Sequence, residues 1–169
     1  GLACDMTEIM KIASQNNLYV IEDNAQSFGT VHHLPDGSHK QVGSIGDFSC
    51  TSFFPTKNLG AYGDGGMIFT NNSVLAKKAK MIASHGQIKK YYHEVIGCNS
   101  RLDAIQAAIL SVKLKYLNEQ IQMKQQIATY YLNEFNDLPE IMLPEKTAYS
   151  DHTYHQFTIQ FTPELRDKA

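Results

Sequence analysis

An amphipathic helix followed at once by a short apolar run is the pattern that most limits what this chain can fold into. Asp5 and Glu8 have the spacing of a capping box, and the apolar residues after them share one face, which predicts a helix over residues 5–16. The apolar run at 18–21 does not alternate with polar residues, as is typical of a strand covered on both faces in a parallel sheet. Helix followed by buried strand predicts an α/β fold.

Two more strands are predicted, at residues 48–54 and 67–70, and a glycine-rich loop separates them. So short a connection favours antiparallel neighbours. The acids Glu22 and Asp23 end the first apolar run, at the kind of position where open α/β sheets bind their ligands. Residues 32–41 are polar with a Pro-Asp-Gly-Ser turn, which predicts a surface excursion.

In the second half of the chain, the spacing of the apolar residues is typical of helices. Helices are predicted from a Ser73 cap to about residue 84, from a Ser100–Asp103 capping box onward, and over 118–136 with a bend near Asn118. The stripe expected to pack the second of these helices consists of Leu102, Ile105, Ile109 and Val112. Residues 155–161 then alternate apolar and polar, which predicts a strand and a second, smaller subdomain beginning near residue 140.

Charge and composition exclude several classes of protein. The 169 residues carry 15 Lys and Arg against 17 Asp and Glu, a net charge of −2 with no basic block, which argues against nucleic-acid binding through backbone charge. No apolar run approaches the roughly 18 residues that span a bilayer, so we expect no membrane insertion and a cytoplasmic protein. The three cysteines are odd in number and widely spaced, which suggests neither disulfides nor a cysteine zinc site. Surface positions, and no metal site, are expected for His32, His33 and His39.

Lys57 and Asp23 are the residues whose surroundings first suggest chemistry. Lys57 follows Phe53, Phe54 and Pro55 and precedes Leu59 and Gly60, an apolar frame able to desolvate an amine. A desolvated lysine can lose its proton and form a Schiff base, although most loop lysines are simply solvated. Asp23 has two interpretations, a turn cap or a carboxylate that holds a heterocyclic nitrogen protonated.

Three segments in register carry a resemblance to a known family. They are residues 20–29 (VIEDNAQSFG), 52–66 (SFFPTKNLGAYGDGG) and 97–108 (GCNSRLDAIQAA). Together they resemble the DegT/StrS family of pyridoxal-phosphate-dependent nucleotide-sugar aminotransferases. The resemblance implies a portion of the aspartate aminotransferase-like, fold type I large domain, with a mixed, mostly parallel sheet. It also implies the start of a small α+β C-terminal domain.

The same resemblance divides the chain and suggests that it is an internal piece of a longer protein. Residues 1–117 correspond to the C-terminal part of the large domain, 118–138 to a connecting long helix and 139–169 to the beginning of the small domain. The isolated piece is expected to bind the cofactor poorly and to show no turnover. In the long helix, Met123-Lys124 stands where many relatives have an arginine.

The resemblance also implies roles for five residues. Lys57 would form the Schiff base with pyridoxal 5'-phosphate and act as base and acid in turn, while Asp23 would pair with the pyridinium nitrogen. Gln26 would lie against the ring and its phenolic oxygen, and Ser52 would help hold the phosphate. Asn99 would reach the cofactor of a neighbouring subunit, which implies a homodimer with shared active sites.

The implied reaction moves an amino group from a donor, expected to be glutamate, to a keto-deoxysugar linked to a nucleotide, in polysaccharide biosynthesis. Three alternatives stay open. A dehydratase relative typically has histidine in place of the lysine, so Lys57 argues against it. A non-catalytic relative would not need Asp23, Gln26, Ser52 and Lys57, so the presence of all four argues against it. An unrelated nucleotide-binding module is disfavoured because the glycine-rich loop matches neither G-x-x-x-x-G-K-[ST] nor a G-x-G-x-x-G that opens a helix.

Overall fold

A three-stranded mixed sheet holds two of the three segments that were expected to form the site, those of Asp23 and Lys57. The computed structural model describes residues 1–166. In chain order its elements are α1 (Met6–Gln15), β1 (Ile21–Asp23), β2 (Val31–His33), β3 (His39–Gln41), β4 (Phe48–Ser52), β5 (Gly66–Phe69), α2 (Ser73–Ile82), β6 (Gln87–Lys89), β7 (Tyr92–His93), α3 (Ala104–Lys113), a 3₁₀ turn (Leu114–Tyr116), α4 (Leu117–Glu134), β8 (Ile141–Met142), β9 (Gln160–Phe161) and α5 (Pro163–Arg166).

The sheet has the strand order β1-β4-β5. β1 pairs with β4 in parallel, with Asp23 opposite Cys50. β4 pairs with β5 in an antiparallel register that sets Ser52 opposite Gly66, so the prediction of antiparallel neighbours is confirmed. Because β1 and β4 are parallel, their carboxyl ends lie at the same edge of the sheet.

The first helix is as predicted, but the strand after it is shifted. Asp5 caps α1 by accepting from the N–H groups of Thr7 and Glu8. The prediction that the apolar run forms a strand covered on both faces is wrong for these residues, because β1 begins only at Ile21 and Leu18 and Tyr19 are exposed. The N–H of Leu18 still bonds to Ala13 O, so this part of the run completes the exit from the helix instead.

The other predicted helix caps needed correction. Asn72, not Ser73, caps α2, since its side chain accepts from Val74 N and Leu75 N. Asp103 lies at the N-cap of α3 but makes no capping hydrogen bond. The N–H of Ser100 bonds to Ala83 O, which ties this segment to the end of α2.

The core lies between the loop after β4 and the α3–α4 helices. Its buried side chains are Phe53, Leu59, Ala61, Leu110, Leu117 and Ile121. Ile105 and Val112, expected to pack α3, are exposed, and Leu110 faces the core in their place. The predicted bend is present as the 3₁₀ turn just before Asn118. Burial of each large apolar side chain contributes about 1.5–3 kcal/mol, so this cluster anchors the loop to the helices.

The polar excursion is a β2–β3 hairpin, and it corrects the expectation for one histidine. His32 is fully buried, and its Nε2 lies 2.9 Å from Thr7 Oγ1. His32 also bridges to Ser150, a contact between distant parts of the chain. His33 and His39 are exposed, as predicted. Over residues 1–166, no group of three metal-ligating side chains is close enough to hold an ion.

The last part of the chain departs most from the prediction. Only Gln160–Phe161 of the expected strand is β structure, paired with β8. The segment before it folds inward as a loop, in which Thr153 is buried and Tyr154 has a positive φ of 45°. Among the described residues, no helix combines the length and the apolar character needed to cross a membrane. The division into domains at 117 and 138 stays a prediction.

Candidate active site

Asp23 occupies the carboxyl end of β1, and its side chain is exposed at the edge that β1 and β4 share. Its Oδ1 accepts a hydrogen bond from Ala25 N at 3.0 Å. That bond turns the chain toward Gln26, whose side chain is also exposed. The turn-cap interpretation of Asp23 is therefore realised, and its carboxylate still faces the outside of the sheet edge, where a ligand can meet it.

The residues on either side of Asp23 are buried and hold it in place. Glu22 accepts from the backbone N–H groups of Gly43, Ile45 and Gly46 at 2.7–2.8 Å. The N–H of Asn24 donates to Cys50 O at 2.8 Å, and the side chain of Asn24 donates to Val42 O. Sequence reasoning placed Glu22 beside Asp23 at a ligand-binding position, but Glu22 is buried and holds the neighbouring loop instead; it gave Asn24 no role. Successive side chains of a strand point to opposite faces, so an exposed Asp23 could have suggested that Glu22 and Asn24 are buried.

Lys57 lies in the loop that follows β4 and is half-buried. Its N–H bonds to Phe54 O at 2.9 Å, which closes a turn directly after the strand. Ser52 ends β4, and its Oγ accepts from Phe54 N at 3.2 Å. Of the expected apolar frame, Phe53 and Leu59 lie in the core and fix the ends of the loop, whereas Phe54 is exposed.

Gly60 shows why this loop needs a glycine. A Cβ at position 60 would lie 2.3 Å from Pro55 O, far inside van der Waals contact with the backbone. The chain thus folds back on itself around Lys57, and any side chain at position 60 would force the turn open.

One buried side chain joins the Lys57 loop to the Asp23 loop. Asn58 Nδ2 donates to Phe28 O and to Thr153 Oγ1, each at 3.1 Å. Its Oδ1 accepts from Lys124 Nζ at 2.8 Å. Phe28 lies in the turn region that follows Asp23, so the two loops that carry the predicted chemistry are tied together directly. Sequence reasoning assigned no role to Asn58 or Lys124.

The surroundings of this junction are cationic. Burial, followed by the charges of Lys124 and Lys57, lowers the pKa of His155. Burial also lowers the pKa of Lys124. The charges of two lysines from different elements therefore both disfavour the protonated form of His155.

Asn99 lies on a different part of the chain. Its side chain is exposed, and its Oδ1 accepts from Arg101 Nε at 2.8 Å. Its neighbours Cys98 and Ser100 donate their N–H groups to Ile82 O and Ala83 O at the end of α2. The structure therefore groups Asp23, Gln26, Ser52 and Lys57 near one sheet edge and anchors Asn99 separately. Its contact with a second subunit stays a prediction.

The chemistry of these side chains fits pyridoxal phosphate. A half-buried lysine amine suits the aldehyde, an exposed carboxylate at a strand end suits the ring nitrogen, and a hydroxyl at the next strand end suits the phosphate. The lysine and the acid are the recurring protein partners of this cofactor. Asn58 follows Lys57 in the chain and donates a hydrogen bond to Phe28 O, in the loop that follows Asp23, so it connects the two loops.

Comparison with known proteins identifies the same group. The model of the DegT/DnrJ/EryC1/StrS aminotransferase family matches residues 1–169. The chain is 46% identical over 160 residues to the dTDP-3-amino-3,6-dideoxy-alpha-D-galactopyranose transaminase of Aneurinibacillus thermoaerophilus, covering 95% of this chain and 42% of that protein. It is 44% identical over 162 residues to a pleiotropic regulatory protein of Geobacillus stearothermophilus, again covering 95% of this chain and 42% of the relative.

Among solved structures, NtdA of Bacillus subtilis with bound cofactor PMP matches with a TM-score of 0.85 and 34% identity, covering 99% of this chain and 38% of that one. The chain thus spans about two fifths of the length of these relatives. The expected fold, a portion of a pyridoxal-phosphate-dependent aminotransferase of fold type I, is confirmed. Pyridoxal phosphate is the cofactor that these findings indicate. The chain belongs to the DegT/DnrJ/EryC1/StrS aminotransferase family.

Proposed function

We propose that the protein containing this chain transfers an amino group to a keto sugar linked to a nucleotide, with Lys57 and Asp23 as its catalytic residues. The observation that carries the proposal is the hydrogen bond from Asn58 to Phe28 O, which holds the Lys57 loop against the Asp23 loop at one sheet edge. The family membership and the transaminase named among the relatives support the reaction class.

Pyridoxal phosphate, when bound, supplies an aldehyde that condenses with amines and a ring that accepts an electron pair. Lys57 Nζ is the amine that would hold the aldehyde carbon. When an amino donor takes its place, the freed Lys57 Nζ would act as the base that removes the proton from the donor's α-carbon and then as the acid that gives a proton back. We propose glutamate as the donor. The donor would leave as its keto acid after taking up the oxygen of a water molecule. When the keto sugar gains the nitrogen and loses its carbonyl oxygen as water, Lys57 Nζ would carry out the same proton transfers in reverse order.

The remaining residues of the proposed site would orient the cofactor and supply a negative charge beside its ring. The Asp23 carboxylate holds a proton on the ring nitrogen, which keeps the ring able to accept electrons. Ser52 Oγ would bind the phosphate, and Gln26 would contact the ring. Asn99 serves the site of a second subunit, so we propose a homodimer with shared active sites. We propose a cytoplasmic enzyme of polysaccharide biosynthesis, in which the 169-residue piece is inactive by itself.

The test is Lys57→Ala in the full-length protein. We expect the variant to lose the absorbance near 400 nm that bound pyridoxal phosphate gives and to lose amine transfer to a nucleotide-linked keto sugar. The matched control is Lys115→Ala, because Lys115 is an exposed lysine in the 3₁₀ turn.

Two of the alternatives, both relatives of the same fold, give a different result in this test. A non-catalytic relative would show no transfer in the wild type, and one relative of this chain has a regulatory name. A dehydratase would release the sugar hydroxyl as water without transferring nitrogen. Retained transfer in Lys57→Ala would contradict the proposed function.

A further inference from the structure

Asn58 is a buried junction next to Lys57. Its side chain is only 6% exposed, and both its amide nitrogen and its oxygen are bonded. The nitrogen donates to the main chain after Asp23 and to Thr153 of the C-terminal segment, and the oxygen accepts from Lys124. Four parts of the chain therefore meet at the residue that follows Lys57.

Lys124 fixes the orientation of the side-chain amide of Asn58. It lies in α4, is half-buried, and has Asn58 Oδ1 as its hydrogen-bond acceptor at 2.8 Å. Within residues 1–166, no carboxylate lies within ion-pair distance of its Nζ. An amine withdrawn from water needs a good acceptor, so the side-chain oxygen of Asn58 is favoured in the orientation that faces Lys124 Nζ. The amide nitrogen of Asn58 is thereby aimed at Phe28 O and Thr153 Oγ1.

Two side chains of α3 hold the same loop farther along. Lys113 Nζ donates to Gly60 O, and Gln106 Oε1 accepts from Tyr62 N at 2.8 Å. The loop is thus fixed by helix side chains at positions 58, 60 and 62. Lys57 stands at the start of this fixed stretch, with its own N–H bound to Phe54 O. Its backbone has little freedom while these bonds are intact.

We propose that Asn58, oriented by Lys124, is a positioning residue that fixes Lys57 relative to the Asp23 loop. The inference rests on the proposed function and adds to it a link from α4 and the C-terminal segment to the amine. Proton transfer between carbon atoms requires the base to be placed closely, and an error of about 1 Å can cost about 100-fold in rate. Lys124 does not touch the reacting atoms; it acts through Asn58.

The experiment uses the full-length protein with Lys124→Met, Lys124→Arg and the control Lys115→Met. We expect Lys124→Met to lower kcat by about tenfold or more with KM changed by less than about twofold. Lys124→Arg retains a charged donor and should restore most of kcat. Lys115→Met removes the same charge from an exposed position and should match the wild type.

A second readout does not depend on turnover. In the cofactor-free protein, acetic anhydride labels lysine amines, and peptide mass spectrometry measures the rate at Lys57 against that at Lys115. Loosening of the loop in Lys124→Met should speed labelling of Lys57 by roughly threefold or more, with Lys115 unchanged. If Lys124→Met does not fold, Asn58→Asp takes its place, because it keeps the acceptor for Lys124 but loses both donated bonds.

The inference is overturned if Lys124→Met, or Asn58→Asp in its place, only lowers the Tm while kcat and the labelling rate of Lys57 stay at wild-type values. That outcome, together with loss of transfer in Lys57→Ala, leaves the proposed function standing. Retained transfer in Lys57→Ala contradicts the proposed function itself, whatever Lys124→Met does.

Discussion

At the scale of single residues, Asp23 combines a structural role with its proposed chemical role. One oxygen of its carboxylate accepts the N–H of Ala25 and starts the turn, while the group as a whole remains exposed at the sheet edge. An aspartate fits both tasks because a short carboxylate can cap its own turn and still present negative charge to a ligand. Asparagine can perform the first task and not the second.

Asp23→Asn in the full-length protein should therefore retain the fold and lose the reaction. Without the negative charge, the ring nitrogen is not held protonated, and we expect kcat to fall by roughly 100-fold or more. The measurement is kcat with a nucleotide-linked keto sugar, together with a thermal melt. Asp36→Asn, in the exposed turn of the β2–β3 hairpin, is the control and should leave kcat unchanged. A kcat near that of the wild type would remove Asp23 from the catalytic residues.

At the scale of elements, the loop after β3 is held to β1 by one carboxylate. Glu22 is 6% exposed and accepts three backbone N–H groups, those of Gly43, Ile45 and Gly46. Hydrogen bonds to a charged acceptor are stronger than neutral ones, at about 1.5–3 kcal/mol each. The strand that ends in Asp23 and the loop beside it thus form one rigid unit.

Glu22→Gln should loosen this unit locally. The amide NH₂ of glutamine would face a backbone donor, so at least one N–H loses its acceptor at a cost of about 1–3 kcal/mol. We expect the amides of Gly43, Ile45 and Gly46 to exchange roughly tenfold faster or more in hydrogen-exchange measurements. Glu8→Gln, on the exposed side of α1, should leave these three rates unchanged. Unchanged rates in Glu22→Gln would show that the charge of Glu22 does not hold the loop.

At the scale of the whole molecule, charges from distant segments meet at His155. Burial, then Lys124 of α4, then Lys57 of the loop after β4 lower its pKa. Its pKa in the folded protein lies below its value of 6.5 in the unfolded chain, so the unfolded state binds more protons between these two values. The contribution of His155 to stability is complete above pH 6.5 and is lost as the pH falls toward the lowered pKa.

An NMR titration of the full-length protein tests this arrangement. The ring of His155 should titrate below 6.5, and Lys124→Met should raise its pKa because one of the two lysine charges is removed. Lys115→Met is again the control and should leave the titration unchanged. An unchanged pKa of His155 in Lys124→Met would show that the charge of Lys124 does not act on this ring.

Much of the fold could be read from local patterns. The cap of α1 and the antiparallel β4–β5 pair follow from short-range chemistry, namely a capping carboxylate and a short connection, and the predicted bend before α4 is present as a 3₁₀ turn. The proposed site residues Asp23 and Lys57 could be singled out because each stands in a motif. A motif is local in sequence, so it can be recognised without knowledge of the tertiary structure.

Other features depend on parts of the chain that are far apart. His32 is buried because Thr7 and Ser150 meet it, and Asn58 matters because Phe28, Thr153 and Lys124 converge on it. Leu110 rather than Ile105 faces the core because the loop after β4 lies on that side of α3. The sequence by itself determined which residue types could perform the chemistry and where the helices and the β4–β5 pair form. Only the tertiary structure decided which polar groups are buried together, because hydrogen-bond partners are chosen by packing and not by distance along the chain.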